Sequence, residues 1–270
     1  MPADPAILVL ATGNPHKVEE LRAILAACGN ERINILGLTD LPPPIHAQLR
    51  EPEEHGTTFE ENARIKALSY AAQIASLSNP DSRFPKPDSR FLCLADDSGL
   101  EIDALRSADG TPRPGVISSH YSTDGRETGL TRPERDAANN ARVLRELEGV
   151  PPEQRTARFV CCMCLALGTP PVPGGPSSIP NSRRGPAGYP NPIPPVLHET
   201  RGTMEGRIIA PPHVPAGNNG FGYDPLFLVA AAPFNFTKTA AELTSGEKNA
   251  LSHRGAAARA MADWLRRLGS

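Results

Sequence analysis

Near its amino-terminal end the chain has a short, uninterrupted apolar run, Ala6 to Ala11, and two more such runs follow at Phe91–Ala95 and Phe159–Leu167. An apolar run of this length predicts a strand that is buried on both faces of a sheet. The first run stops at a turn, and the residues from Val18 to Leu25 then repeat at helical spacing. This succession of buried strand and amphipathic helix predicts an α/β fold.

Further elements follow from periodicity and from capping residues. Leu130–Leu147 has helical spacing, Val196–Ile209 predicts two strands, and the strand that begins at Phe91 is predicted to stop at Asp96. A closing helix is predicted from Thr244 without a break to Leu265. Each predicted helix start has its own capping residue: Asn14 before Pro15, Thr58 with Glu61, and Thr244 with Glu247.

Two segments, residues 78–90 and 169–195, differ in composition from the rest of the chain. Both are rich in proline and serine and hold few aliphatic side chains. They cannot bury enough apolar surface to offset the entropy that ordering would cost. We therefore predict two surface loops inserted into a single domain that spans residues 1–270.

The overall charge argues against one broad class of function. Lys plus Arg number 28 and Asp plus Glu number 30, so the formal net charge of −2 lacks the basic excess of a general nucleic-acid binder. No apolar stretch approaches the ~18 residues that cross a bilayer, and Met1 to Leu10 lacks the features of a signal peptide. The sequence predicts a soluble, cytoplasmic protein with no nucleic-acid or membrane partner.

The first predicted strand is followed by a turn with the residue types of an anion site. Thr12-Gly13-Asn14-Pro15-His16-Lys17 offers a hydroxyl, backbone N–H groups at a helix start and an ammonium group. A helix start favours anions, and Lys17 adds a full positive charge for a phosphate. An ordinary capped helix explains the same residues, since caps are far commoner than phosphate sites.

Two adjacent carboxylates, Asp96 and Asp97, follow the second apolar run. On a strand they point to opposite faces, so one can face a ligand while the other secures the turn. Together with a further carboxylate from Glu53 or Glu54, which precede a predicted helix start, they offer the oxygen ligands that Mg²⁺ prefers. A solvated turn stabilised by its aspartates is the alternative.

Two further clusters lie toward the carboxyl-terminal end. The loop Gly217–Asp224 has glycines that allow close backbone approach, Phe221 or Tyr223 to stack on a base, and Asp224 to accept from ring N–H groups. The closing helix adds three basic side chains: Lys248, His253 and Arg254. A flexible hairpin and a solvated helix face would explain each cluster alone. All the clusters together describe a pocket for a nucleoside triphosphate and a metal ion.

Seven motifs of this chain resemble, in the same order, those of the inosine/xanthosine triphosphate pyrophosphatase family. The motifs are Leu10-Ala-Thr-Gly-Asn-Pro-His-Lys17, Gly56-Thr-Thr-Phe-Glu-Glu-Asn-Ala63 with Lys66, Ala95-Asp-Asp-Ser-Gly-Leu100, Pro114-Gly-Val116, Gly220-Phe-Gly-Tyr-Asp-Pro225, Thr239-Ala-Ala-Glu-Leu243 and Ser252-His-Arg-Gly255. The resemblance runs from about residue 6 to about residue 268 and skips only the two inserted segments. So many ordered motifs are hard to obtain by chance.

The resemblance implies an elongated α/β fold of two lobes around a long mixed sheet, with helices on both sides and a nucleotide cleft between the lobes. It also implies a homodimer. The implied reaction is the Mg²⁺-dependent hydrolysis of a non-standard purine nucleoside triphosphate, such as ITP, dITP or XTP, to the monophosphate and pyrophosphate.

The resemblance also implies roles for single residues. Asp97 would be the metal-bound catalytic carboxylate that accepts a proton, Glu54 a second metal ligand, Ser98 a nucleotide contact, and Lys66 an additional phosphate contact. The other implied substrate contacts are Thr12, Gly13, Asn14, Pro15, His16 and Lys17 for the triphosphate, Phe221, Gly222, Tyr223 and Asp224 for the base region, and Lys248, His253 and Arg254 for phosphate and base.

One position departs from the family pattern. Where the family usually has an arginine before the tyrosine that follows its Pro-Gly segment, this chain has His120-Tyr121, so a cationic role there would depend on pH. A nucleotide sensor without activity is the main rival hypothesis, but Glu54 and Asp97 are both present. An RNA-binding module is the weaker rival, because the chain lacks interleaved aromatic and basic residues.

Overall fold

The computed structural model describes residues 7–30, 33–77, 90–168, 194–220 and 222–268. Most of the two predicted insertions, 78–90 and 169–195, lies outside these ranges, and so does Phe221. The side chain of His16 also lies outside the described part of the structure.

Seven strands in the described ranges form one mixed sheet. The strands are β1 (Ile7–Leu10), β2 (Asn34–Gly37), β3 (Phe91–Arg106), β4 (Pro112–Pro114), β5 (Thr156–Gly168), β6 (Val196–Ile208) and β7 (Phe227–Val229). Their order in the sheet is β2-β1-β3-β5-β6-β7, with β4 paired to β3. β1 is parallel to β2 and β3, whereas β3–β4 and β6–β7 are antiparallel pairs. The predicted α/β class with a mixed sheet is confirmed.

Six α-helices accompany the sheet within the described residues. They are α1 (Pro15–Ala27), α2 (Pro43–His46), α3 (Phe59–Ser76), α4 (Arg132–Glu146), α5 (Ser245–Leu251) and α6 (His253–Leu268). Among the described helices, none combines the length and the apolar character needed to cross a bilayer. The predicted starts of α1, α3 and α5 agree with the structure to within a residue. At α3 and α5 the predicted threonine, Thr58 or Thr244, caps the helix with its side chain.

The chain divides into two compact units. The first unit comprises Met1–Asp97, Cys162–Thr200 and Ala258–Ser270, and the second comprises Ser98–Cys161 and Arg201–Ala257. The first is built around fully buried residues of β1 and around α3. The second has a continuous core that includes Leu100, Ile102 and Phe227. The predicted cleft between lobes stays a prediction.

β3 is longer than the sequence indicated. The prediction that this strand stops at Asp96 is wrong, because β3 continues to Arg106 and places Asp96 and Asp97 within the strand. Leu100 and Ile102, which are fully buried, restore the alternation of inward and outward side chains beyond the acidic pair. The two carboxylates therefore interrupt a buried strand instead of following it.

The predicted closing helix is two helices. Ser252 has an extended backbone, with φ −66° and ψ 151°, and its Oγ accepts a hydrogen bond from the Gly255 N–H at 3.0 Å. This cap ends α5 and starts α6, so Lys248 lies on α5, whereas His253 and Arg254 open α6.

The prediction of two strands between Val196 and Ile209 is also wrong, since β6 is continuous. Gly202 lies within β6, where an added Cβ would come 2.2 Å from the His253 carbonyl oxygen and 2.5 Å from the Ala257 nitrogen. This glycine therefore allows close packing of a strand against α6 and does not mark a turn.

Candidate active site

The turn between β1 and α1 is closed by local hydrogen bonds. Thr12 Oγ1 accepts from the Asn14 N–H at 3.2 Å, and the Asn14 carbonyl accepts from the Val18 N–H at 3.2 Å. Gly13 and Pro15 complete the turn, and no described atom lies within 4 Å of the position that a Cβ of residue 13 would take. The backbone at Gly13 is therefore open to close approach by a ligand.

Lys17, in the first turn of α1, forms an ion pair with Asp96. Its Nζ lies 3.0 Å from Oδ2 and 3.2 Å from Oδ1 of Asp96, whose side chain is 4% exposed. A buried carboxylate requires such a partner, because burial removes the water that would otherwise solvate its charge. The pair secures Asp96 and fixes the Lys17 ammonium group beside the turn.

Lys66, on α3, brings Glu54 and Asp97 together. Its Nζ lies 2.8 Å from Oε2 of Glu54 and 3.5 Å from Oδ1 of Asp97. The side chains of Lys66 and Asp97 are 15% and 14% exposed, and that of Glu54 is 32% exposed. We refer to Glu54, Lys66 and Asp97 as the Lys66 cluster. Two carboxylates that are distant in sequence thus contact a single ammonium group.

The Lys66 cluster has the electrostatics of a reactive centre. Burial raises the pKa of Asp97 above its usual value; Lys66 opposes this shift and Glu54 adds to it. Burial alone would lower the pKa of Lys66, but Asp97 and Glu54 outweigh it and hold that pKa above its usual value. A carboxyl group that accepts a proton readily beside a lysine that stays charged is typical of catalytic sites.

Asn62 belongs to this site but is not among the candidate residues that the sequence indicated. Asn62, on α3 and 3% exposed, donates from Nδ2 to Asp97 Oδ2 at 3.2 Å and accepts at Oδ1 from the Gly56 N–H at 2.8 Å. In the sequence Asn62 lies within the Gly56–Ala63 motif and four residues before Lys66, and residues i and i+4 share one face of a helix. Asn62 and Lys66 both bind Asp97 from that face.

The start of α3 holds the preceding loop in place. Thr58 Oγ1 accepts from the Glu61 N–H at 3.2 Å, which is the predicted cap. The Glu61 carboxylate, however, accepts from the N–H and the hydroxyl of Thr57, at 2.7 Å and 3.0 Å. The loop that carries Glu54 is thus bonded to the first turn of the helix that carries Lys66.

In the second unit, Asp224 and Lys248 form another buried ion pair. Lys248 Nζ lies 2.7 Å from Oδ2 of Asp224, whose side chain is 7% exposed. Gly220 lies against this pair with φ +94°, where an added Cβ would come 2.1 Å from Asp224 Oδ2 and 2.3 Å from Lys248 Nζ. Only glycine fits this position without moving the pair.

Replacing Gly220 with alanine is therefore expected to lower the free energy of unfolding by about 2–4 kcal/mol, through left-handed backbone strain and the clash with the ion pair. Gly222→Ala is the matched control, since Gly222 also has a left-handed backbone (φ +63°) but no described atom within 4 Å of its Cβ position. Denaturant unfolding should show a loss of only about 1–2 kcal/mol for the control. Equal losses in the two variants would contradict the close contact at Gly220.

The backbone of Gly222 is held by α4. Its N–H donates to Asp136 Oδ2 and its carbonyl accepts from Asn140 Nδ2, each at 3.1 Å. Tyr223 is 5% exposed and its hydroxyl donates to the Ser118 carbonyl at 2.6 Å. The Tyr223 ring therefore belongs to the core of the second unit, and Phe221, the other ring that the sequence offers for stacking on a base, lies outside the described residues.

The basic residues at the start of α6 are placed inside the protein. The His253 ring stacks on Phe159, with centroids 5.1 Å apart and planes at 17°, and Arg254 is 6% exposed. Ser98 follows Asp97 along β3 and is half-buried.

His120, at the position where the family usually has arginine, has two charged neighbours. Its Nε2 lies 2.9 Å from Oε2 of Glu127 and 3.2 Å from Nη1 of Arg135. A guanidinium group, which stays charged at all relevant pH values, thus lies beside the substituted histidine.

The donor atoms of the Lys66 cluster suit a hard divalent cation. Glu54 and Asp97 direct carboxylate oxygens toward one positive group, and Mg²⁺ typically binds one or two carboxylates together with substrate phosphates. Within the described ranges, no three His, Cys, Asp or Glu side chains are grouped so that they could hold a metal unaided. The residues therefore fit a cation that completes its coordination with phosphate and water.

Known proteins resemble this chain over nearly its whole length. Residues 8–264 match the Ham1 family. A dITP/XTP pyrophosphatase of Nitratidesulfovibrio vulgaris is 40% identical over 254 residues, which are 94% of this chain and 93% of that protein. One of Frankia alni is 39% identical over 259 residues, 96% of each chain.

Solved structures give the same result. A HAM1 protein from Coxiella burnetii superposes with a TM-score of 0.66 at 32% identity, covering 97% of this chain and 99% of its own. A nucleoside-triphosphatase, or dITP/XTP pyrophosphatase, from Mycobacterium abscessus gives a TM-score of 0.57 at 33% identity, with 96% and 98% covered. Sequence and fold agree over nearly the whole length, and the chain therefore belongs to the Ham1 family.

Proposed function

We propose that this chain hydrolyses non-standard purine nucleoside triphosphates, namely ITP, dITP and XTP, to the monophosphate and pyrophosphate, and so removes them from the nucleotide pool. The observation that carries the proposal is the Lys66 cluster, in which a buried carboxylate of raised pKa contacts a charged lysine beside a second carboxylate. The relatives in Nitratidesulfovibrio vulgaris and Frankia alni, which are named dITP/XTP pyrophosphatases, support the same reaction.

In this proposal Asp97 is the general base. It accepts the proton of the attacking water. Asn62 fixes Oδ2 of Asp97, and Lys66 lies at Oδ1, so the carboxylate is held in one orientation.

Glu54 and Asp97 would hold Mg²⁺. When bound there, Mg²⁺ would neutralise phosphate oxygens and lower the pKa of a coordinated water. Lys66 and Lys17 would bind oxygens of the leaving pyrophosphate, and their positive charges oppose the negative charge that develops on it. Asp96 fixes the Lys17 ammonium group beforehand, so little reorganisation of Lys17 is needed when the substrate binds.

Base selection is proposed to rest on the 6-oxo group of hypoxanthine and xanthine. A donor aimed at this oxygen would face a second donor, the 6-amino group, if adenine were bound, and an unpaired buried donor costs about 1–3 kcal/mol. The Gly222 N–H is not this donor, because it is already bonded to Asp136.

The purified protein with Mg²⁺ is therefore expected to show a kcat/KM for ITP roughly 10- to 100-fold above that for ATP. Release of pyrophosphate from each nucleotide at limiting concentration measures this ratio. Equal values for the two nucleotides would contradict the proposed base selection. Binding of ITP without turnover would instead support the rival hypothesis of a nucleotide sensor.

A homodimeric assembly and a cytoplasmic location belong to the same proposal, and the homodimer rests on the family resemblance. Sedimentation velocity of the full chain tests the dimer, which should sediment at about 58 kDa, twice the 28.8 kDa of one chain. A single species of the monomer mass at micromolar concentration would contradict it.

A further inference from the structure

We propose that Asn62 is a positioning residue that joins the loop carrying Glu54 to the strand carrying Asp97, and so sets the spacing of the two carboxylates that hold the divalent cation. This inference rests on the proposed function, because it assigns to Asn62 a role in the cation site of that reaction.

The Asn62 side chain makes two hydrogen bonds, one to β3 and one to the loop that follows Glu54. Its Nδ2 donates to Asp97 Oδ2 at 3.2 Å, and its Oδ1 accepts from the Gly56 N–H at 2.8 Å. One amide therefore bridges β3 to a backbone position two residues after Glu54. The side chain can do this only as an amide, since it must donate on one side and accept on the other.

Gly56 leaves just enough space for the loop to contact Asn62. A Cβ at this position would lie 2.6 Å from Asn62 Oδ1 and 2.7 Å from the Glu61 Cβ. The loop can approach Asn62 closely enough to bond only because residue 56 has no side chain. The contact thus depends on a glycine at position 56 as well as on the asparagine at position 62.

Asn62 is buried, whereas Glu54 is partly exposed. Asn62 is 3% exposed, and a buried amide that makes two bonds is held more rigidly than a surface side chain. Glu54, by contrast, is 32% exposed and sits on a loop, so its position depends on what anchors that loop. Loss of a group that orients a metal ligand typically weakens metal affinity by roughly 10- to 100-fold.

The test replaces Asn62 with leucine, which has a similar volume and neither donates nor accepts hydrogen bonds. Isothermal titration of the full chain with MgCl₂ alone is expected to show Mg²⁺ affinity weakened roughly 10- to 100-fold. With saturating Mg²⁺, kcat for ITP is expected to fall at least roughly tenfold while KM changes less than about threefold, because the substrate contacts remain.

Asn30→Leu is the matched control. Asn30 is also a buried asparagine of the first unit, 5% exposed, and donates from Nδ2 to the Ala262 carbonyl at 3.1 Å. Its replacement is expected to lower the melting temperature as Asn62→Leu does, but to leave Mg²⁺ affinity and kcat unchanged. Equal loss of Mg²⁺ affinity in both variants would show a general packing effect and overturn the proposal.

Gly56→Ala approaches the same contact from the other side and serves if Asn62→Leu does not fold. It leaves the Asn62 amide in place but pushes the loop away, so the same loss of Mg²⁺ affinity is expected. Wild-type Mg²⁺ affinity in a folded Asn62→Leu or Gly56→Ala protein would overturn the positioning role while leaving the proposed function intact. A wild-type chain that binds no Mg²⁺ and releases no pyrophosphate would overturn both.

Discussion

Replacing Asp97 with asparagine is expected to lower kcat for ITP by about a thousandfold, because the variant loses the group that accepts the proton of the attacking water. The amide is almost the same size as the carboxylate, but it is not a base at neutral pH. Burial disfavours the charge of Asp97, so the neutral variant should melt no lower than the wild type. Steady-state kinetics and thermal unfolding of the same preparation measure both effects.

Asp103→Asn is the control for this variant. Asp103 lies on the same strand and accepts from Arg158 and Thr156, outside the Lys66 cluster. Its replacement makes the same chemical change and is expected to leave kcat within about twofold of the wild type. An Asp97→Asn protein with near-normal turnover would remove Asp97 from the mechanism.

Replacing Lys66 with methionine is expected to change the stability of the protein in two ways. The variant should be less stable than the wild type without Mg²⁺, and added Mg²⁺ should stabilise it more than it stabilises the wild type. In the presence of a chelator, Glu54 and Asp97 lose the ammonium group that they contact, so the free energy of unfolding should fall by roughly 1–3 kcal/mol. When Mg²⁺ is added, the variant should gain more stability than the wild type, because no ammonium group repels the cation from the two carboxylates.

Melting temperatures across a MgCl₂ titration measure this difference. Lys238→Met serves as the control, since the Lys238 Nζ lies 5.1 Å from the centre of the Phe234 ring, in the second unit. That variant should respond to Mg²⁺ as the wild type does. If Mg²⁺ stabilises Lys66→Met and the wild type equally, the two carboxylates do not share a cation.

Much of the fold was predictable from local signals. The buried strands β1 and β5 follow from uninterrupted apolar runs, and α1 and α3 begin where capping residues indicated. The continuation of β3 past Asp96 was not predictable, because it depends on neighbouring strands and on charged partners for two carboxylates. The break at Ser252 was missed because the same serine is compatible with a helix interior until its backbone geometry is known.

The candidate site was predictable where motifs carry it and not where distant residues meet. Lys66 and Asp97 belong to motifs of the family and Glu54 shortly precedes one, and the two carboxylates both contact Lys66 in the structure. The pairing of Lys17 with Asp96 joins residues 79 positions apart, and periodicity contains no information on such contacts. Asn62 lies in the same motif as Gly56, but the motif does not show that its amide bonds both to Gly56 and to Asp97.

The most direct test of the central claim is the identity of the products. Phosphorus-31 NMR of the wild-type chain with ITP and Mg²⁺ should show inosine monophosphate and pyrophosphate as the only phosphorus products, and no reaction when a chelator is present. Release of orthophosphate with inosine diphosphate, or unchanged hydrolysis in the chelator, would contradict the account.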